Sequence, residues 1–585
     1  MIDFRIYRAG LAIIVIAIAT VLLSLESEPG ALAEGVPAAG FDAGDARELA
    51  ELIVKQAPYR TPGSAADLEV ADLVEKRFTS IQGGTIARQD FSGEFDGEEV
   101  KMRNVILSLP GGSPSTLVVI ANRDTARAEG AASSAAATGI LLQLAEQLGS
   151  SRHNKTILLV STDGGADGQL GVREFVAAYP QIDDVEAAIV ISQPGSNQPT
   201  PPFVIGYGIG KERAGARLIA TAQRAVTRET NRRADGDPLL TGFVRLALPF
   251  PVAEESVLLG DEIDAIGLSS AGERPLPPSR DHIEDFSATT QAEFGRTALS
   301  LLLALDATDA AADAKIDSYL TLAGTMIPGW SVSLLALALI IGPLLTMIDA
   351  AARSWRREQR FRGTIASAAG AGGMFVVPLV LAYLLSLFGL IPRPSWPADP
   401  GRFLFGWEGL VAFALLALSL LMVAIFLVPL AARRSSPQSV AVSAGMIACP
   451  ALAVVWAVNP YTAILLAPIA HLWLFSGRAA GPPPVRRAAR YVALALLPVG
   501  AAAIHLASVL NLGYAAPWQA LLAIVSAQVN PLISFACCFL VGSLVVVVAA
   551  SRTAEAAAGP EPAISGSRRR GGAVEPTISV GEASP

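Results

Sequence analysis

Apolar positions fall into two regimes along the chain. Beyond residue 327 they run almost unbroken for about 20 residues at a time, the length a helix needs to cross a bilayer. Between residues 43 and 310 they come as short bursts separated by polar stretches of helical period. There, 44–58 and 65–80 predict helices, and 102–108 (MRNVILS) and 116–121 (TLVVIA) predict strands. A helix over 134–148, a strand over 156–161, a helix over 169–178 and a strand over 187–192 follow. The region closes with a helix over 213–230, a strand over 264–268 and a helix over 288–306. Such alternation predicts an α/β domain with a mostly parallel, mixed sheet. Ligands of such sheets bind at the carboxyl ends of the strands, which singles out loops 122–133, 162–168 and 192–196.

The long apolar runs give an all-α, polytopic transmembrane bundle. The first, 9–24, follows Arg5 and Arg8 and reads as an uncleaved anchor. A signal peptide is the rival, but the A-x-A of Ala31 and Ala33 lies well beyond the run. Seven more candidates cover 328–350, 365–391, 409–430, 438–458, 461–476, 490–511 and 519–549, the last kinked at Asn530-Pro531. Every second loop is basic. Arg353, Arg356, Arg357, Arg360 and Arg362 follow one span, Arg433 and Arg434 another, Arg478, Arg486, Arg487 and Arg490 a third. Arg552 and Arg568 to Arg570 occupy the tail. The positive-inside rule then predicts eight spans with both termini cytoplasmic and residues 25–326 outside the cytoplasm. The expected domains are an anchor at 1–25, a linker at 26–42, an extracytoplasmic domain at 43–310, about seven helices over 327–550 and a disordered cytoplasmic tail at 551–585.

Composition agrees with this division. Of 585 residues 52% are hydrophobic and 16% charged, below the quarter or so typical of soluble domains. The net charge of −8 sits mainly in the middle region, which argues against a nucleic-acid partner. Abundant Ala, and Arg in preference to Lys, predict a bacterial source, hence an inner membrane. Cys449, Cys537 and Cys538 all lie in apolar runs, so the domain has neither a disulfide nor a thiol nucleophile. His505 reads as the intramembrane ionisable group, an interhelical hydrogen-bond partner. A transporter or lipid-handling bundle is thereby a secondary reading, because intramembrane carboxylates are lacking. His153 reads as a solvated turn residue and His282 as part of a surface loop. Gly206 to Lys211 (GYGIGK) lacks P-loop spacing and reads as a turn.

The order of motifs resembles the zinc aminopeptidases of family M28. Arg60-Thr61-Pro62-Gly63-Ser64 is similar to its R-x-x-G-S entry, Asn104-Val105-Ile106 to its N-V-I strand, and Leu109 to Gly112 to its L-P-G-G turn. LVVIANRD (117–124) resembles the strand ending in H-x-D, and 130–145 the G-A-x-D-N-A-S-G helix. Residues 157–175 resemble the strand, E-E pair and G-L-x-G-S segment, and 279–285 (SRDHIED) the closing H-T-x-x-D segment. The resemblance implies a phosphorylase/aminopeptidase-like fold. That family holds two metals with His and carboxylates and activates water with a Glu.

Carried over position by position, the first ligand His falls on Asn122, and its Asp partner is kept as Asp124. The bridging Asp falls on Ala135, the base Glu on Gly165 and the adjacent ligand Glu on Ala166. The later ligands fall on about Ser192 and Pro277. The resemblance thus implies no catalytic and no metal residue. It leaves a vestigial pocket of Asn122, Asp124, Ala135, Asp163, Gly165, Ala166, Ser192, Asp281 and His282, and no cofactor. The expected function is a membrane-embedded pseudopeptidase that binds a peptide or protein partner, as a non-catalytic subunit of a hetero-oligomer or as a scaffold. The rival is an active metallopeptidase, with zinc held by a rebuilt set of Asp124, Asp163, Asp167, Asp281 and His282. One N-terminal span, a large peptidase-like domain and about seven further spans also resemble the layout of the Gaa-one attachment subunit of GPI transamidase.

Overall fold

In this computed structural model the described residues are 4–33, 40–95, 97–125, 128–166, 168–234, 237–250, 253–308, 318–356, 361–392, 406–429, 440–476 and 484–558. The domain is built on a seven-stranded sheet of order β2-β3-β5-β4-β6-β8-β7. Its strands are β2 (Thr85–Phe95), β3 (Glu98–Leu109), β4 (Gly111–Asn122), β5 (His153–Thr162), β6 (Val185–Gln193), β7 (Val204–Ile205) and β8 (Ala265–Ser269). The four central strands β5, β4, β6 and β8 run parallel, while β2, β3 and β7 are antiparallel additions. The central strands are buried along almost their whole length, which is why they read as apolar bursts.

Helices α2 (Ala43–Gln56), α3 (Ala65–Thr79), α4 (Ala136–Gly149), α5 (Leu170–Ala178), α6 (Ala216–Thr230) and α9 (Ala288–Asp306) match the predicted ones to within a few residues. Three starts follow from their caps. Asp42, Ser64 and Ser287 accept from the free first-turn amides of α2, α3 and α9. Helices α2, α4, α6 and α9 pack together over the central strands, and α5 packs with α8 (Glu255–Gly260).

Some elements lay outside the expected pattern. β2 carries a mixed polar sequence because it is the sheet edge and half faces water. Helices α7 (Leu239–Ala247) and α8 are too short for a period to show. His153, expected in a solvated turn, instead opens β5, where it is buried with its Nε2 2.8 Å from Leu148 O. The sheet claims the residues immediately after the helix, so no free turn remains.

The helical region comprises α1 (Phe4–Leu23), α10 (Gly329–Arg356), α11 (Phe361–Leu387), α12 (Trp407–Met422, continued by a wide turn Val423–Leu427), α13 (Val440–Val458), α14 (Pro460–Ser476), α15 (Val485–Val509), α16 (Ala516–Val525) and α17 (Pro531–Ala558). Among the described residues six helices are long and apolar enough to cross a membrane: Arg5–Leu23, Gly329–Arg353, Trp407–Leu427, Val440–Val458, Val485–Val509 and Pro531–Ala556. Gly372–Leu387, Pro460–Leu472 and Gly513–Val525 are shorter apolar stretches. The predicted single span 519–549 is two helices: α16 ends at Val525, the chain turns through Ala527 at a φ of 59°, and α17 restarts with Pro531 at its first position, where the missing N–H costs no helical bond.

Two contacts bind α1 into the bundle. Gly10 lies against Gly342 of α10 so closely that a Cβ on Gly10 would sit 2.6 Å from Gly342 Cα. Tyr7 Oη lies 3.1 Å from His471 Nδ1, and His471 Nε2 lies 2.8 Å from Leu339 O. That carbonyl is the one that Pro343 of α10 deprives of its helical donor. His471 is therefore a second histidine within the helices, beside His505, whose Nε2 lies 3.1 Å from Thr241 Oγ1 on α7.

The domain meets the helices along α7. Asn459 Nδ2 donates to Leu246 O at 2.7 Å, and Thr462 Oγ1 to Ala247 O at 2.6 Å. Part of the predicted linker is ordered as well. Glu26–Ser27 (β1) pairs with Thr325–Pro328 (β10), which pairs with Tyr319–Leu322 (β9). Leu32 N donates to Thr221 Oγ1. Residues 34–39 of the linker, 559–585 of the tail, and Arg357, Arg360, Arg433, Arg434, Arg478 and Arg568 to Arg570 lie outside the described residues.

Candidate functional site

The loops after β4, β5 and β6 and the start of α4 converge at the carboxyl ends of the parallel strands, as the topology requires. Asn122 ends β4 and donates from Nδ2 to Asp124 O at 3.2 Å. Asp124 is buried, and its two oxygens accept from Gly165 N (2.9 Å) and Ala166 N (2.8 Å). Burial, reinforced by the charge of Asp163, pushes Asp124 up to about 6. Gly165 leaves no room for a side chain, since a Cβ there would stand 2.5 Å from Asn122 Cβ. A Glu at that position and Asn122 as placed are mutually exclusive.

Asp281 serves a second loop. Its Oδ1 accepts from Ala132 N (2.9 Å) and Ser133 N (3.1 Å), and its Oδ2 accepts from Ser133 Oγ. Burial pushes it up to about 6 against these bonds. Ala135 is buried in the wide turn Ala131–Ala135 that opens α4. Ser192 lies on β6, and its buried Oγ has no partner among the described residues.

Asp163 turns away from this group. It accepts from Gly63 N and Arg103 N and lies 3.3 Å from Arg123 Nη2. His282 stands half-exposed at the rim with Nδ1 3.7 Å from Glu129 Oε2. Asp167 lies outside the described residues. The nine predicted positions thus separate into a cluster at Asn122, Asp124, Gly165 and Ala166, a clasp of Asp281 on the start of α4 beside Ala135, and Asp163, Ser192 and His282, which bond to neither group.

Three charged residues without an assigned role complete the arrangement. Arg60 is fully buried and donates to Arg123 O (2.8 Å), Ala57 O (2.5 Å) and Ser134 Oγ (2.9 Å). Burial lowers its pKa to about 10, opposed by Asp67, Asp281 and Asp124. Arg123 is also fully buried. It donates to Asp67 Oδ2 (2.7 Å), Arg103 O (2.6 Å) and Ser161 O (3.2 Å). Burial works against its charge, but Asp67 and Asp163 outweigh that cost and its pKa is raised. Glu254 is buried beside Thr162, whose Oγ1 donates to it at 2.8 Å, and burial pushes it up to about 8. An arginine inside the strand pattern LVVIANRD was the available signal for Arg123, because a buried charge demands partners.

A pair of divalent cations does not fit this arrangement. The oxygens of Asp124 and Asp281 are engaged by amides and a hydroxyl, Asp163 by amides and Arg123, and the buried guanidinium charges of Arg60 and Arg123 would oppose a dication. Among the described residues no three His, Cys, Asp or Glu are grouped to hold a metal ion.

Residues 104–245 match the model of peptidase family M28. Transferrin receptor protein 2 of Mus musculus is 22% identical over 222 residues, which cover 34% of this chain and 26% of that protein. The chain therefore spans about a quarter of the length of that curated relative. Among solved structures, a Porphyromonas gingivalis glutaminyl cyclase shares 21% identity at a TM-score of 0.37, over 45% of this chain and 98% of its own. A leucine aminopeptidase precursor from Bacteroides thetaiotaomicron VPI-5482 shares 17% at 0.37, over 46% and 99%. Residues 104–245 are thus similar to peptidase family M28, and the α/β domain that contains them is joined to a set of long apolar helices.

Proposed function

We propose that this protein is a membrane-embedded pseudopeptidase whose family M28 domain holds a peptide or protein partner outside the cytoplasm without cleaving it. The observation that carries this reading is the crowding at Gly165, which the resemblance aligns with the family's base: a Cβ there would stand 2.5 Å from Asn122 Cβ, and both oxygens of Asp124 accept from the backbone of that same loop. A peptidase scaffold without its chemistry keeps a shape suited to extended chains. Transferrin receptor protein 2, a relative over part of its length, is by its name a receptor for a protein.

The charge pattern supports the orientation. Arg5 and Arg8, Arg353 and Arg356, and Arg486 and Arg487 stand at the ends of α1, α10 and α15 remote from the domain. The layout of one span, a large domain and further helices fits a non-catalytic subunit of the Gaa-one kind.

The test uses the full-length protein, purified in detergent and incubated with zinc. Elemental analysis is expected to find far less than one zinc per chain, with no release of amino acids from peptides. One or two tightly held zinc ions per chain, with activity lost on Asp124→Asn, would replace this reading with that of a working metallopeptidase.

A further inference from the structure

The segment from Ser270 to Asp285 touches both the site and the helices. We infer that it is a strap coupling the state of the site to the packing of α7 and the α15–α16 junction. This inference goes beyond partner binding and does not depend on it.

At its start the strap is tied to the end of β6: Ser270 N donates to Gln193 O at 2.8 Å. Next come two contacts toward the membrane helices. Glu273, buried, pairs with the buried Arg245 of α7, the helix that Asn459, Thr462 and His505 hold. Arg274 Nη1 donates to Asn511 O, at the end of α15, at 2.6 Å. The strap then returns to the sheet. Leu276 N donates to Gln193 Oε1 (2.7 Å), and Gln193 Nε2 donates to Arg274 O (3.3 Å). Its far end is the Asp281 clasp on Ala132 and Ser133, followed by Ile283 N donating to Glu129 Oε2 at 2.9 Å.

Pro275, Pro277 and Pro278 lie between the two anchorages, each with φ fixed by its ring. A stiff connector passes a displacement on, where a glycine-rich one would absorb it. Gln193 ties the strap on either side of Arg274 to the end of β6, next to Ser192. A shift that frees Asp281 from α4 therefore pulls on the segment that holds Asn511, and the reverse holds by reciprocity.

Hydrogen–deuterium exchange of the full-length protein in nanodiscs tests this. Arg274→Ala is expected to speed exchange of the Ala132 and Ser133 amides about tenfold, the scale of one lost charge-assisted bond. The Gly165 and Ala166 amides, held by Asp124 off the strap, are expected to stay unchanged. Asp281→Asn is expected to speed exchange at Asn511 and Leu512. Arg280→Ala, whose guanidinium among the described residues bonds Gln198 alone, serves as the local control and is expected to leave Asn511 and Leu512 unmoved. Changes confined to the neighbours of each substituted residue would overturn the coupling. So would a uniform loss of protection that includes Gly165 and Ala166, because the contacts would then serve only overall stability.

Discussion

Arg123 is a charge with no access to water, and its value lies in what it leaves unpaired when removed. Arg123→Met strands Asp67 and Asp163 in the interior, and the expected loss is about 3–5 kcal/mol in chemical denaturation of the domain. A second residue-scale expectation concerns pH. Burial pushes Asp124 and Asp281 up to about 6, Glu273 to about 7, and Glu254 and Glu255 to about 8. Each carboxyl binds its proton more tightly folded than unfolded. Its contribution is therefore complete below about pH 4 and is lost as pH rises through 6 to 8. The urea midpoint is expected to fall across that window. Glu255→Gln should flatten the upper part, because neither oxygen of Glu255 meets another residue's donor among the described residues. The resemblance to the family singled out Asn122, Asp124, Gly165 and Ala166, and the fold brings these four together. The partners of Arg123 come from α3, β3 and β5, so no local pattern could announce them.

Elements were more legible than residues wherever burial wrote a period into the chain. The central strands and the capped helices lie close to where alternation put them. The misses, β2, α7 and α8, are an edge strand with one wet side and two helices too short to repeat. The split of 519–549 into α16 and α17 was visible as Asn530-Pro531 but not as a full break, since a proline kink and a restart share one sequence signal. His471 shows how elements compensate one another. It supplies the donor that Pro343 takes from Leu339 O. A double-mutant cycle in detergent should find His471→Leu costing about 1 kcal/mol alone and clearly less in a Pro343→Ala background, where α10 can donate to its own carbonyl. Equal costs in both backgrounds would mean that His471 acts by packing alone.

At the scale of the molecule, helix ends carrying arginine and helix ends carrying the domain stand opposite one another. A cysteine at the exposed Ile283 is expected to react with a membrane-impermeant maleimide in intact cells, and one at Arg356 only after lysis. Labelling in the reverse order would invert the proposed topology. The division into a domain and long apolar helices was plain from hydropathy. That the domain leans on those helices through α7 was not, because Asn459 read as a loop residue between two spans, Thr462 as a span residue and His505 as an interhelical partner until the groups from α7 stand beside them.

The packing of α1 also has a consequence in time. Tyr7 meets His471 across 464 residues of sequence. At roughly 5–20 residues per second of synthesis, the first helix waits on the order of 20–90 s for that partner. The domain between them has emerged and can fold before the bundle closes. Translation order thus lets the domain finish before the bundle does: α1 can meet α10 at Gly342 early, while its bond to His471 forms late.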